Sequence, residues 1–237
     1  MGHEAIERLR GGLVVSCQAL PGELLFGPDL MARMAVAAYE GGAVGIRANS
    51  GPDIRAVREA VPLAVIGLIK RTYPDSPVII TPTLREAGEA IEAGAHVLAL
   101  DATSRPRPGG IPLPRLVEEI RERWKAPLWA DVSNLEEGIQ AARLGFDVIA
   151  TTLAGYTDAA GPLDPYAPDF ELLKRLVEAV TGRFGIPVVA EGRIWEPAQA
   201  RRCLELGAFA VVVGSAITRP QRITRRFVEA LRGGNHA

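Results

Sequence analysis

"IEAGAHVLAL", residues 91–100, switches from one periodicity to another across a single glycine. Before Gly94 lies an amphipathic stretch, "LREAGEAIEAG", with apolar side chains at helical spacing; after it comes a run of β-formers. A glycine at such a junction fits the helix C′ position, where the backbone turns left-handed and a Cβ would clash. The same form recurs in "YEGGAVGIRA" (39–48), "ARLGFDVIAT" (142–151) and "LELGAFAVVV" (204–213), with Gly42, Gly145 and Gly207 at the junctions. Successive glycines are 52, 51 and 62 residues apart, too far for one strand–helix unit and suitable for two.

The strands between these repeats are announced by proline. "VPLAVIG" (61–67), "APLWADV" (126–132) and "IPVVAEG" (186–192) each set a proline just before an apolar run. Proline cannot continue a helix but is tolerated at the start of a strand. With "GLVVSCQ" (12–18) these make eight strands, near residues 13, 44, 63, 97, 128, 147, 188 and 209. Near-continuous apolar strands alternating with amphipathic helices predict a parallel sheet covered by helices. Eight units over residues 1–237 predict a single (β/α)8 TIM barrel domain. An open doubly wound sheet would carry a glycine-rich phosphate turn after its first strand, where this chain has "SCQALPGEL". "VIIT" (78–81) is a ninth apolar piece, read as an insertion in the third strand–helix loop.

Composition narrows the class. At 48% hydrophobic but only 5% aromatic, the core must be aliphatic. The formal charge is −1 with dispersed basic residues, which argues against a nucleic-acid surface. No apolar run approaches the roughly 20 residues of a membrane span. "MGHEAIERLR" lacks the apolar region of a signal peptide, so a soluble cytoplasmic protein is expected. Cys17 and Cys203 have neither disulfide nor metal-ligand spacing, and Cys17 reads as a small buried residue. His96 begins a strand, at the structural end of a barrel, and is expected to pack rather than to bind zinc.

Barrels of this kind work at the C-terminal ends of their strands. Those ends carry Gln18, Arg47 with Asn49, Lys70 with Arg71, Asp101, Asp131, Thr151 with Thr152, Glu191 with Arg193, and Gly214 with Ser215. Lys70 closes the apolar run "LAVIGLIK". A lysine desolvated there, near another cation such as Arg47, would have a lowered pKa and could serve as general base or Schiff-base nucleophile. Glu191 ends strand seven. Strands three and seven stand four apart in a ring of eight, so two proton carriers would face each other across the barrel. Such a pair can remove a proton from one face of a carbon and return it to the other, inverting a stereocentre. The loops after strands seven and eight supply Gly192, Arg193, Gly214 and Ser215 as a phosphate site, with Arg219 close behind. "PGG" (108–110) and "DAAGPLDPYAPD" (158–169) are long enough to act as lids.

Taken together, "CQAL", "GIRAN", "GLIKR-Y", "TPT", "ALDAT-R-RP", "ADVSN", "ATTL-GYT" and "AEGRI", in that order along nearly the whole chain, resemble the N-acetylmannosamine-6-phosphate 2-epimerases. The resemblance implies a (β/α)8 barrel without metal or redox cofactor. It also implies interconversion of N-acetylmannosamine 6-phosphate and N-acetylglucosamine 6-phosphate in amino-sugar and sialic-acid catabolism, by homodimers. Lys70 and Glu191 fall on the family's lysine and glutamate, and Gln18, Arg47, Asp131 and Arg219 on its substrate-binding set. Thr151, at its strand end, joins the expected substrate contacts. Phosphate would be held around Gly192, Arg193, Gly214 and Ser215. Two positions depart from the family pattern: Thr72 stands where an aspartate is common, and Ala154 where a serine is common. Two readings stay open beside epimerisation: an aldolase-like barrel using Lys70 as Schiff-base nucleophile, and a non-catalytic phosphosugar-binding barrel.

Overall fold

The structure is a computed structural model, and it describes residues 2–157 and 163–233. Eight parallel strands close into a barrel in sequence order: β1 (Leu13–Cys17), β2 (Gly45–Asn49), β3 (Ala64–Leu68), β4 (Val97–Asp101), β5 (Leu128–Asp131), β6 (Val148–Ala150), β7 (Val188–Glu191) and β8 (Val211–Val213). β8 pairs back onto β1 through Leu13 opposite Val211. The chain is a (β/α)8 TIM barrel.

The repeated glycines do what their position predicts. Gly42, Gly94, Gly145 and Gly207 have φ of 92°, 100°, 81° and 95°. After each, the next N–H reaches back to a carbonyl five residues earlier: Ala43 to Ala38, Ala95 to Ala90, Phe146 to Ala141 and Ala208 to Cys203. This is the Schellman closure, a local device that ends a helix and aims the chain into the following strand. Helix starts are equally local. Thr83 and Glu86 form a capping box at Leu84–Glu92, and Asn134 accepts from the Glu137 N–H at Leu135–Arg143.

Two apolar layers result. One lies inside the barrel and includes Val14, Ile66, Leu68, Ala99, Trp129, Val148, Val189 and Val212; Ala5 and Ile6 of the N-terminal helix Gly2–Glu7, and Leu9 just after it, belong to it. The other lies between strands and helices, from Val15 and Ile46 to Val188 and Val211. The period-2 alternation of each strand sorts residues between them.

The segment 78–81 is an insertion in the third loop, as expected, but not a full ninth strand. β3 and β4 pair only through Ile66–Val97 and Gly67–Leu98. Above that short ladder the inserted segment lies between the strand ends. Ile80 bridges Lys70 antiparallel, and its carbonyl accepts from the Asp101 N–H at 3.0 Å.

Candidate active site

Alternation decides which strand-end residues look inward. From Val14 the inward positions of β1 continue to Ser16 and Gln18; from Ile66 and Leu68 they continue to Lys70; from Val148 and Ala150, to Thr152; from Val189, to Glu191. These side chains line a cavity of about 680 Å³ at the C-terminal mouth, together with Arg47, Gly192, Arg193, Gly214, Ser215 and Arg219.

Arg47 is the hub. It is 1% exposed and makes a bidentate pair with the fully buried Asp131, while its Nη1 also donates to Glu191 Oε2 at 2.6 Å. Thr152 Oγ1 donates within the same network, 2.6 Å from Asp131 Oδ1 and 3.0 Å from Glu191 Oε2. Trp129 Nε1–H also donates to Asp131, at 3.2 Å, and its ring carries the Arg47 guanidinium 5.8 Å from its centroid. Asp131 therefore has several donors and Glu191 fewer. Burial pushes the Glu191 carboxyl up to about 7; Arg47 pulls it down, and the negative Asp131 pushes it up again. Thr151 grips the backbone beneath, its Oγ1 donating to the Glu191 carbonyl and accepting from the Glu191 N–H.

Lys70 meets the opposite fate. Its backbone N–H donates to Asn49 Oδ1 at 2.7 Å, and its ammonium forms no ion pair among the described residues. Burial pulls its pKa from 10.5 down to about 8; Arg47 lowers it further, and Glu191 works against both. A base and an acid are thus both brought toward neutrality, from opposite directions, in one cavity.

The β7 and β8 ends form the cavity's other wall. Gly192 has φ 106° and Arg193 φ 56°, so this turn is left-handed at two successive residues. Arg193 is 9% exposed, donates through Nε to the Ala167 carbonyl and lies 5.1 Å from the Tyr156 ring centroid. Among the described residues no backbone carbonyl accepts from the N–H of Arg193, Gly214 or Ser215. Arg219 pairs with Glu23 at 3.1 Å.

Two of the expected site residues do not line the cavity: Asp131 lies beneath Arg47, and Thr151 faces the β7 backbone. Asp101 is occupied by Arg105 and Thr103, and Arg71 by Glu86 and Glu89. Thr72 is exposed and Ala154 buried, and neither lines the cavity. Polar cavity residues outside the expected substrate and phosphate sets include Ser16, Thr152, Arg222 and Arg225. Counting by twos along β1 and β6 would have found the first two; Arg222 and Arg225 arrive on the last helix, Pro220–Leu231, with no motif around them. Of the two loops read as lids, 108–110 is a short turn whose Gly109 N–H bonds Asp75. Residues 158–162 of the other lie outside the described residues. Its remainder supplies Leu163, Pro165 and Tyr166 to the cavity wall.

His96 Nδ1 accepts from the Val65 N–H, and Cys17 is fully buried, its thiol pushed up to about 12. Among the described residues no group of three or more His, Cys, Asp or Glu is placed to hold a metal ion, and no helix is long and apolar enough to cross a membrane.

Fold and cavity together define the class: a (β/α)8 barrel with a polar, charge-lined cavity at its C-terminal mouth, the layout of barrel enzymes. A family model described as "Putative N-acetylmannosamine-6-phosphate epimerase" matches residues 31–233, and the chain belongs to that family. A protein of Caldanaerobacter subterraneus subsp. tengcongensis named "Putative N-acetylmannosamine-6-phosphate 2-epimerase" is 51% identical over 96% of this chain and 94% of its own. One of the same name from Enterobacter sp. strain 638 is 51% identical over 95% of each chain. The solved structure of the N-acetylmannosamine-6-phosphate 2-epimerase from Clostridium perfringens superposes with a TM-score of 0.89 at 46% identity, covering 95% of both chains.

Proposed function

We propose that this chain interconverts N-acetylmannosamine 6-phosphate and N-acetylglucosamine 6-phosphate, with Lys70 and Glu191 exchanging the proton on C2. The observation that carries the reading is that these two groups line one cavity from strands β3 and β7, four apart in a ring of eight. In the open-chain sugar the C2 proton is acidic because it adjoins the C1 aldehyde. Neutral Lys70 removes it from one face, the electrons pass into the enolate, and protonated Glu191 returns a proton to the other face. In the reverse direction ionised Glu191 is the base and the Lys70 ammonium the acid.

The remaining residues position and stabilise. Arg47, held by Asp131, is a fixed cation beside the developing enolate charge, an environment arranged before reaction. Gln18, Thr152 and Arg219 present polar groups to the sugar, and Thr151 holds the Glu191 backbone. Gly192, Arg193, Gly214 and Ser215 take the phosphate, whose binding energy pins the reacting carbon between the two carriers. A Schiff-base aldolase would use Lys70 but leave a raised Glu191 opposite it without a task.

Turnover in heavy water tests the scheme. Deuterium is expected at C2 of the product and, at equilibrium, of the recovered substrate; a C2 position that stays protiated rules out proton abstraction.

The family resemblance also points to a homodimer. In support, the helix Pro220–Leu231 buries none of its residues and leaves Phe227 and Leu231 68% and 86% exposed. Sedimentation equilibrium is expected to give twice the 25.3 kDa chain mass, and Phe227→Glu to shift the population toward monomer.

A further inference from the structure

Thr81 holds a backbone conformation that threonine rarely adopts. Its φ is +46°, in the left-handed region where a β-branched side chain is an outlier. The residue is fully buried, so no exposed turn accounts for it. Strain of this kind persists only where the surroundings over-determine it, and it concentrates at functional sites.

The surroundings are specific. Thr81 N–H donates to the Ile69 carbonyl at 2.8 Å, and the Ile69 N–H donates back to Thr81 Oγ1 at 3.3 Å. The hydroxyl proton goes to the Ala99 carbonyl on β4 at 2.6 Å. Outside this knot Arg107, 4% exposed, donates through Nη1 to the carbonyls of Thr81 and Pro82 at 3.4 and 3.1 Å. One residue earlier Ile80 bridges Lys70, and Ile79 accepts from the Arg71 N–H at 3.0 Å. The residue before Lys70 is therefore held on both its N–H and its C=O by Thr81, and the residue after it by the same inserted segment.

These bonds matter because, among the described residues, no hydrogen bond or ion pair holds the lysine by its tip. No ion pair orients its ammonium among the described residues, and β3 has ended at Leu68, two residues short of it. Its aim depends on where its Cα stands and on the wall beside it, and Ile80 is part of that wall. We infer that Thr81, kept left-handed by its own hydroxyl and by Arg107, is the positioning residue that aims Lys70 into the cavity. The inference rests on the proposed acid–base role of Lys70 and deepens it.

The test compares Thr81→Ala, which loses the hydroxyl, and Thr81→Gly, which also relieves the left-handed backbone and so protects folding, with Thr81→Ser, which keeps the hydroxyl. The chain has only three lysines, Lys70, Lys125 and Lys174, so reductive ¹³C-methylation gives one signal for each beside that of the terminal α-amine, and the NMR titration reports the Lys70 amine without turnover. Expected for Ala and Gly are a kcat lower by about 10- to 100-fold, a KM within about 2-fold, and a Lys70 titration moved up toward ordinary lysine, with Ser restoring both. Unchanged kcat and unchanged titration in both Ala and Gly overturn the inference. So does a loss that follows only the unfolded fraction seen by circular dichroism. If the Lys70 titration moves while Lys70→Met still turns over, the acid–base reading falls and the positioning stands. If Lys70→Met is dead and the Thr81 variants leave kcat and titration alone, the reverse holds.

Discussion

Lys70→Met is expected to abolish epimerisation and at the same time to stabilise the protein at neutral pH. The rate loss follows from removing one of two proton carriers, each worth roughly 10²–10⁴ in rate. The stability gain follows from desolvation. Lys70 titrates near 8 in the fold against an ordinary value of 10.5, so the folded state disfavours its charged form. The sign follows from linkage: between those values the unfolded chain binds more protons, so wild-type stability rises with pH across that window. Below about pH 8 the full penalty applies, on the order of 1–3 kcal/mol once partial solvent access is allowed for. Methionine keeps the apolar stem and drops the charge. Thermal melts are expected to show the variant above the wild type at pH 6–7, with the gap closing as pH approaches 10.5. A variant no more stable than wild type at pH 7 would mean that the ammonium is well solvated.

The same pair sets the pH profile of kcat/KM. The forward reaction needs Lys70 neutral with Glu191 protonated; the reverse needs Lys70 charged with Glu191 ionised. These two forms carry the same number of protons, so both directions share one bell, bounded by the pair's titrations near 7 and 8. Because the lysine is the stronger base, the commoner singly protonated form carries the proton on Lys70.

Arg47→Met is expected to be the most damaging single replacement for stability. Arg47 stands between Asp131, which is fully buried, and Glu191, whose side chain is 12% exposed. Removing the cation leaves both carboxyls without a positive partner, with only the Trp129 N–H on Asp131 and the Thr152 hydroxyl between the two. Breaking a buried pair from one side costs about 3–5 kcal/mol, because the remaining charge has nothing to answer it. The Glu191 carboxyl, already raised by burial, then loses the Arg47 charge that pulled it down. Its share of the penalty is therefore greatest at neutral pH and fades as acid protonates it, the reverse of the Lys70→Met pattern. Adding Asp131→Leu to Arg47→Met is expected to return the larger part of the lost stability, measured by urea unfolding, without returning activity. Arg47→Met with a wild-type midpoint would show that the carboxylates find other partners.

Much of this protein is written locally. The four helix ends at Gly42, Gly94, Gly145 and Gly207 are closed by hydrogen bonds spanning five residues, so their pattern survives in one dimension and yields the number and order of strands. Once eight strands are counted, the opposition of β3 and β7 follows without coordinates. Lys70 and Glu191 were legible for the same reason: each is a charge at the end of an apolar run. Ser16 and Thr152 were legible too, by alternation.

Closure decided the rest. Asp131 and Asp101 both end apolar strands and look alike in sequence. One meets an arginine 84 residues away and the other its own neighbours Thr103 and Arg105. Arg222 and Arg225 come to the mouth only because the last helix is laid across it. The segment 78–81 reads as a strand by composition. Whether it pairs depended on how far β3 and β4 stay together, which the stagger of the closed sheet sets. Local chemistry writes the elements and their order; which side chains share a proton or a cation depends on pairings between strands far apart in the chain, and those exist only once the ring has shut.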